Sequence, residues 1–332
     1  MKLDEKEVIR LFIAKLKKNN FRDFGQNDVT VVPIKGLRSF SYSQGLVLKC
    51  DMLVESTDVP ALMAPWQIAR KSVVSVISDL SAKGAKPYVS LISLGLPVYY
   101  SKKAVASLVH GFSLASREFD FVIAGGDTNQ TKELIIDCCI MGFTSGNNLE
   151  VPGRNGACSG DLVVVSGLFG YPPAGLKIIM DGVKATDKFR RKAVRSVLRP
   201  EPRMKFGSVL SKYFTSSIDS SDGLSTSLYE LAKQSNVDFF LNQIPCGLDL
   251  LKFANDSNLN SRELIFHGGE EFEIVCTIPK SKFDKFNSCA KRSRLPFLVI
   301  GEVKNGSGNI FLRSRTSGEY ALLENRGYTH LS

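Results

Sequence analysis

Apolar positions recur along this chain with two different periods, and the alternation between them lays out its elements. Residues 4–18 carry Val8, Ile9, Phe12, Ile13 and Leu16 at helical spacing, acids first and lysines last, which predicts an opening amphipathic helix. Leu46 to Glu55 reads as a strand whose apolar run is interrupted by Asp51, a carboxylate that needs a partner there. Pro65 to Lys83 is predicted helical, with Pro65 in the first turn, an apolar face from Trp66 to Leu80 and Gly84 placed to end it. Asp79 falls in the last turn of that helix, where the dipole disfavours an anion and a positive neighbour is expected.

A strand over Tyr88 to Leu96 and a helix capped by Ser101 follow. The next segment, Phe119 to Gln130, predicts a buried strand that breaks at Gly125-Gly126 and presents Asp127-Thr128 at its carboxyl end, where open α/β sheets bind ligands. Leu134 to Phe143 closes this half as another strand. The turn-rich stretch from Ser145 to Gly160 is the best candidate boundary, and beyond it the pattern restarts. Strands are predicted over Asp161 to Gly167, Thr215 to Asp219, Glu273 to Ile278, Phe297 to Val303 and Ile310 to Arg313. Helices are predicted over Gly175 to Met180, Lys188 to Leu198, Met204 to Phe214, the segment after Asp222, and Lys280 to Arg292. Mixed α/β layers in two domains, 1–147 and 148–332, are the expected architecture for 332 residues.

Composition narrows the class. Hydrophobic residues at 43% and charged residues at 23% are ordinary for a globular chain, and no apolar run is long enough to cross a bilayer. The amino terminus carries acids and lacks the apolar core of a signal peptide, so a cytoplasmic protein is expected. Seven cysteines, with no CxxC pair and mostly in apolar segments, point to free thiols, and three scattered histidines to no histidine-built metal site. The net charge of +10 attracts anions without naming them. The basic helices, such as the run from Lys188 to Lys205, lack the interleaved aromatics of a single-strand binding surface, and a solvated helix face accounts for them.

Five carboxylates stand apart because each lies in or directly after apolar or Gly-rich structure: Asp51, Asp79, Asp127, Asp219 and Asp222. Each has a plain alternative. Asp222 can cap a helix, Asp127 can be a turn residue, Asp79 can face solvent and Asp51 can pair with a lysine. As a set, they cost too much to bury together unless cations neutralise them, which points to divalent metals with oxygen ligands and a phosphorylated substrate.

Blocks in family order along nearly the whole chain carry a resemblance: DMLVE from Asp51, SDLSAKGAKP from Ser78, GGDT from Gly125, GRNGACSGD from Gly153, SGLFG from Ser166, LRPEPR from Leu198, IDSSDGL from Ile218, GGEEFEI from Gly268, and the Gly327-Tyr328 and His330 ending. The chain resembles the thiamine-monophosphate kinases, within the superfamily of aminoimidazole ribonucleotide synthetase, selenophosphate synthetase and a hydrogenase-maturation ATPase. The resemblance implies a two-domain aminoimidazole ribonucleotide synthetase-like fold whose amino-terminal sheets pack into a homodimer. It implies ATP-dependent phosphorylation of thiamine monophosphate by direct in-line transfer with Mg²⁺ bridging the phosphates. Asp28, Asp51, Asp79, Asp127, Asp219 and Asp222 become metal ligands by that match, with Asp51, Asp127 and Asp222 at the reacting groups. Gly125, Gly126, Thr128, Arg154 and Ser221 fall near the nucleotide, and Asp58, Glu270 and Tyr328 near the acceptor, Tyr328 as a ring able to stack on the thiamine. Carboxylates, metals and Gly turns without a catalytic histidine suit phosphoryl transfer, which needs positioning and charge neutralisation more than a strong base.

The chain departs from the family pattern in three places. Gln26-Asn27-Asp28-Val29 stands for GDDA, Ser56-Thr57-Asp58-Val59 for GVHF, and GGEE at Gly268 to Glu271 for GGED, so the acceptor pocket differs more than the metal blocks. Selenophosphate synthesis is disfavoured because no Cys precedes Cys50, and the hydrogenase-maturation reading because the chain ends in Thr-His-Leu-Ser. The purine-pathway cyclase, a nucleotide-binding regulator without turnover, and a nucleic-acid binder remain as competing readings.

Overall fold

The computed structural model describes residues 27–33, 45–144, 151–314 and 316–328. The expected opening helix over 4–18 and His330 of the carboxyl-terminal block lie outside the described residues, as do residues 145–150 of the expected boundary.

The first sheet is ordered β1-β2-β5-β3-β4, from β1 (Thr30–Pro33), β2 (Gly45–Val54), β3 (Lys86–Leu96), β4 (Val122–Gln130) and β5 (Ile135–Phe143). Among the described strands of this sheet, β3 and β4 run parallel, and the long connection that parallel neighbours require contains α2 (Lys102–Phe119). Ser101 caps α2 as expected, its hydroxyl accepting from the Ala104 amide at 3.2 Å. The structure corrects the sequence reading of the next segment. Phe119 ends the helix rather than opening a strand, Asp120 takes a left-handed C-cap, and β4 runs without a break through Gly125-Gly126 to Gln130. Gly126 is needed there because a Cβ would lie 1.7 Å from the Ile92 carbonyl oxygen on β3. β4 is an edge strand, and all but Ile123 of its residues are exposed, so it is not the buried strand expected.

The second sheet has seven strands ordered β12-β11-β8-β10-β6-β9-β7. They are β6 (Asp161–Val165), β7 (Ser216–Ser220), β8 (Val237–Leu241), β9 (Glu273–Pro279), β10 (Leu298–Asn305), β11 (Ile310–Arg313) and β12 (Tyr320–Leu322). Its helices are α3 (Tyr171–Met180), α4 (Asp187–Leu198), α5 (Met204–Leu210), α6 (Leu224–Ser235), α7 (Leu248–Asp256) and α8 (Lys280–Ser293). β9 is buried from Glu273 to Ile278 without alternation, the mark of a strand covered on both faces. One cover is the cluster of Phe169, Leu228, Phe239 and Phe266, and the other the cluster of Phe206, Phe214 and Phe286.

Between the sheets lies α1 (Pro65–Ala82). Pro65 opens it, Gln67 accepts from the Ala64 amide at 2.8 Å, and nearly every residue from Ile68 to Ala82 is buried. A helix buried all round has packing partners on every side. Here these are α2 with β2, β3 and β5 on the side of the first sheet, and α5, β7 and β9 on the side of the second. Gly207 on α5 lets the two helices meet, since a Cβ there would lie 1.7 Å from the Ser81 carbonyl oxygen. This packing brings the last turn of α1, and with it Asp79, against β7.

Candidate active site

Three buried carboxylates from three separate segments converge at that contact. Asp28 precedes β1, Asp79 sits in the last turn of α1 and Asp219 on β7, and an oxygen of each lies within 4.8 Å of the others. Asp51, half-buried on β2, joins the cluster through Lys49. The Lys49 ammonium stands 3.1 Å from Asp51 Oδ1 and 2.6 Å from Asp79 Oδ2. This is both the lysine partner allowed for Asp51 and the positive neighbour expected for Asp79.

Asp28 is clasped on both oxygens. Arg154 donates to Oδ1 from Nε at 2.6 Å and also from Nη2, while the fully buried Lys83 ammonium stands 2.7 Å from Oδ2. Lys83 also donates to the Ser217 carbonyl on the neighbouring strand. Sequence reasoning passed over Lys49 and Lys83, although a signal exists for each. Lys49 precedes Asp51 by two in a strand and so shares its face, and Lys83 follows Asp79 by four at the end of a helix.

The charges divide the cluster. Burial pushes the Asp219 carboxyl well above the ordinary range, and Asp79 beside it adds to the shift. Burial also pushes Asp51 up to about 6, with Lys49 opposing the rise and Asp79 reinforcing it. Asp28 goes the other way, because Arg154 and Lys83 together outweigh the cost of its burial and hold it below the usual value. Burial would lower the Lys49 ammonium, yet Asp79 and Asp51 raise it, so it stays charged. Asp28 is thus held as an anion by two protein cations, whereas burial makes Asp219 and Asp51 more reluctant to ionise.

Around the cluster the chain builds a rim. Asp222 lies two residues past the end of β7, close enough to raise Asp51, and the Ser221 hydroxyl stands 3.4 Å from its Oδ1. The Tyr328 amide donates to the Asp222 carbonyl at 3.0 Å, which ties the carboxyl-terminal segment to the site. Glu270 has φ of +68°, a left-handed conformation costly for a side chain, and its amide donates to the Ser221 carbonyl at 2.6 Å. Its carboxylate pairs at 2.6 Å with Lys71, eight residues before Asp79 on α1, and Lys71 also donates to the Asp58 carbonyl. Asp58 itself accepts from the Val54 amide at 2.7 Å and so closes the helical turn Glu55–Asp58. Glu271, the changed position of the GGEE block, is buried and accepts from the Gly170 amide.

Within one chain the structure does not bring Asp127 to this cluster. Residues aligned across a sheet share a face, and Asp51 aligns through Cys138 and Ile92 with Gly126, so Asp127 projects from the opposite face. Asp127 instead shares a row with Met52, Asp137 and Ser93 on the exposed side. Three strand spacings, about 14 Å, separate β4 from β2. Gly125 and Thr128 lie on the same exposed edge strand. The pattern of one strand cannot reveal which face of a sheet its neighbours' carboxylates occupy, and that is why the grouping of Asp127 with Asp51 was not testable from sequence.

All seven cysteines are free, as expected. Among the described residues, no helix is long and apolar enough to cross a membrane.

Known proteins resemble this chain in sequence and in fold. Residues 27–144 match the family model of the AIR synthase related protein, N-terminal domain. Over its whole length the chain is similar to the thiamine-monophosphate kinase of Nitrosopumilus maritimus, 41% identical with 99% of each chain covered. Among solved structures it is similar to AaThiL complexed with AMPPCP and TMP, with a TM-score of 0.84, 26% identity and 99% of each chain covered. It is also similar to the thiamine monophosphate kinase of Aquifex aeolicus, with a TM-score of 0.78, 26% identity, and 96% of this chain and 99% of that one covered.

Proposed function

The chain belongs to the thiamine-monophosphate kinase family, and from that premise we propose that it transfers the γ-phosphoryl group of ATP to thiamine monophosphate, giving thiamine diphosphate. The observation that carries the reading is the buried carboxylate cluster between the two sheets, in a chain aligned end to end with these kinases. The relative solved with AMPPCP and TMP supports both substrates.

The donor set suits Mg²⁺, a hard ion that takes carboxylate oxygens and keeps its remaining positions for phosphates and water. Asp51, Asp79 and Asp219 would hold it, with Asp222 at the rim, and when bound it would neutralise the phosphate oxygens. Arg154 and Lys83 both pair with Asp28, and we assign it to holding the site together. Arg154 keeps the guanidinium edge not turned to Asp28 for an anion, and we assign the Ser221 hydroxyl, beside Asp222, as a second donor. We assign Glu270, Asp58 and Tyr328 to the acceptor side, with Lys71 paired to Glu270.

We further propose that the active form is a homodimer in which a second copy covers the outer face of the first sheet. Met52, Tyr88, Leu91 and Val122 are each more than half exposed there, an apolar surface that water does not favour. Such a partner is also what would give Gly125, Gly126, Asp127 and Thr128 a phosphate site to act on. Residues 1–147 and 148–332 are assigned as the two domains, and the cytoplasm, where ATP is made and thiols stay reduced, as the compartment.

The test is incubation of the purified protein with ATP, thiamine monophosphate and Mg²⁺, followed by chromatography for thiamine diphosphate. Product that requires all three is expected. No product with any divalent metal, at a protein concentration where ATP binds, would overturn the reading.

A further inference from the structure

Four carboxylates, Asp28, Asp51, Asp79 and Asp219, meet between the sheets, and three cations of the same chain meet them. Two of these cations are lysines in positions that solvent does not explain. Lys83 is fully buried against Asp28, and Lys49 bridges Asp51 and Asp79 with its ammonium at 3.1 and 2.6 Å. Buried carboxylates that ionise together need counter-charge close by, and here the chain supplies it from its own side chains.

We infer that Lys49 and Lys83 are built-in cations that close the carboxylate cluster without metal, and that Lys49 holds a position for which a divalent ion must compete. The inference rests on the kinase reading only in taking Asp51 and Asp79 as metal ligands. It adds a mode of metal entry: the free protein has little use for a divalent ion, and the ion is captured when a nucleotide brings phosphate oxygens to complete its shell. The loss of one carboxylate from the first metal block, where Asn27 stands, is consistent with a site that balances its charge partly from within.

Geometry separates the two lysines. Lys83 is locked, since both Asp28 and the Ser217 carbonyl receive it and no part of the side chain reaches water. Lys49 is the displaceable one. Its side chain is about one-fifth exposed, and its partner Asp51 is one-third exposed. An ammonium next to a divalent ion in the same carboxylate pocket repels it, so removing Lys49 strengthens binding of the ion alone by at least about tenfold.

The experiment uses the whole chain, with Mn²⁺ as the probe, and measures binding by electron paramagnetic resonance and melting temperature by calorimetry, both without nucleotide. The native protein is expected to melt at the same temperature in chelator and in millimolar Mn²⁺. Lys49→Met is expected to melt lower in chelator, to recover when Mn²⁺ is added, and to bind Mn²⁺ at least about tenfold more tightly than the native protein. Lys49→Arg, which keeps the charge, should behave as native. Equal Mn²⁺ affinity in native and Lys49→Met proteins would overturn the inference. So would a native melting temperature that climbs several degrees with Mn²⁺ alone, and this arm decides the matter even if Lys49→Met does not fold. Because neither readout involves turnover, failure here leaves the kinase reading standing, and failure of the kinase assay leaves these results to be judged on their own.

Discussion

Replacing Asp28 with Asn separates two roles for that residue, because the structure predicts a large loss of stability and a small change in metal binding. Both carboxylate oxygens face protein cations, and neither Asp28 nor Lys83 has any exposed side-chain surface. Asp28→Asn therefore leaves the Lys83 ammonium without its anion in a place water does not reach. Removing one member of a buried pair typically costs about 3–5 kcal/mol. The lower end applies here, since Lys83 keeps the Ser217 carbonyl and burial already lowers its hold on the proton, so it can shed its charge instead. Arg154 is about one-quarter exposed and can turn to water, so the cost concentrates on Lys83. Urea unfolding of native, Asp28→Asn, Lys83→Met and the double variant measures the coupling directly. A value of about 2–3 kcal/mol is expected between the two positions. Mn²⁺ binding in the presence of AMPPCP is expected to change by less than about threefold in Asp28→Asn, within one decade of affinity. Coupling below about 0.5 kcal/mol together with a loss of metal binding would refute the reasoning, and would make Asp28 a ligand rather than a clasp.

The remaining predictions concern protons, packing and the acceptor. Asp51 is raised by burial to about 6, so the folded chain keeps that proton to higher pH than the unfolded chain; the stability this confers is complete below the unfolded value of 3.8 and fades as pH climbs through 6. Metal capture needs the carboxylate and so has the opposite sign: Mg²⁺ affinity measured calorimetrically with AMPPCP should rise between about pH 5 and 7, and Asp51→Asn should flatten that rise. Gly207→Val should lower stability by at least about 1–3 kcal/mol in urea unfolding, because its Cβ would meet the Ser81 carbonyl oxygen; a neutral result would mean that α1 and α5 can separate freely. Tyr328→Ala should raise KM for thiamine monophosphate about two- to fivefold while leaving KM for ATP in place, the size of an exposed cation–aromatic contact, and equal effects on both would argue against stacking.

Much of this fold was legible in the sequence because long amphipathic elements declare themselves. The helix from Pro65 and the strands at Leu46, Leu134 and Asp161 appear close to where their apolar spacing puts them. The short strand β8 and helix α7 were passed over, since neither spans enough turns or alternations for its period to emerge. The Gly pair in β4 misled for a different reason. Gly125-Gly126 looks like a break, but Gly126 is there to let two backbones approach, which only the neighbouring strand explains. At the site, the oddity of Asp51 and Asp79 was visible as charge in apolar company. Their shared partner was only half visible, because Lys49 shares a face with Asp51 in the strand while its contact with Asp79 needs α1 laid across β2.

The placement of α1 bears on how the molecule comes apart. A chain with two sheets and two main cores invites the picture of two bodies on a tether, each able to survive alone. Here the helix belongs to the first sheet by connection but also to the second by burial: Ala82 packs in the cluster of Phe206 and Phe286, and Phe272 from the second half packs in the core of the first. Nicking the chain between β5 and β6 would therefore leave two fragments that stay associated, and expressing either fragment alone would strand one side of an apolar rod in water. The protein should therefore melt in one step, both sheets unfolding together.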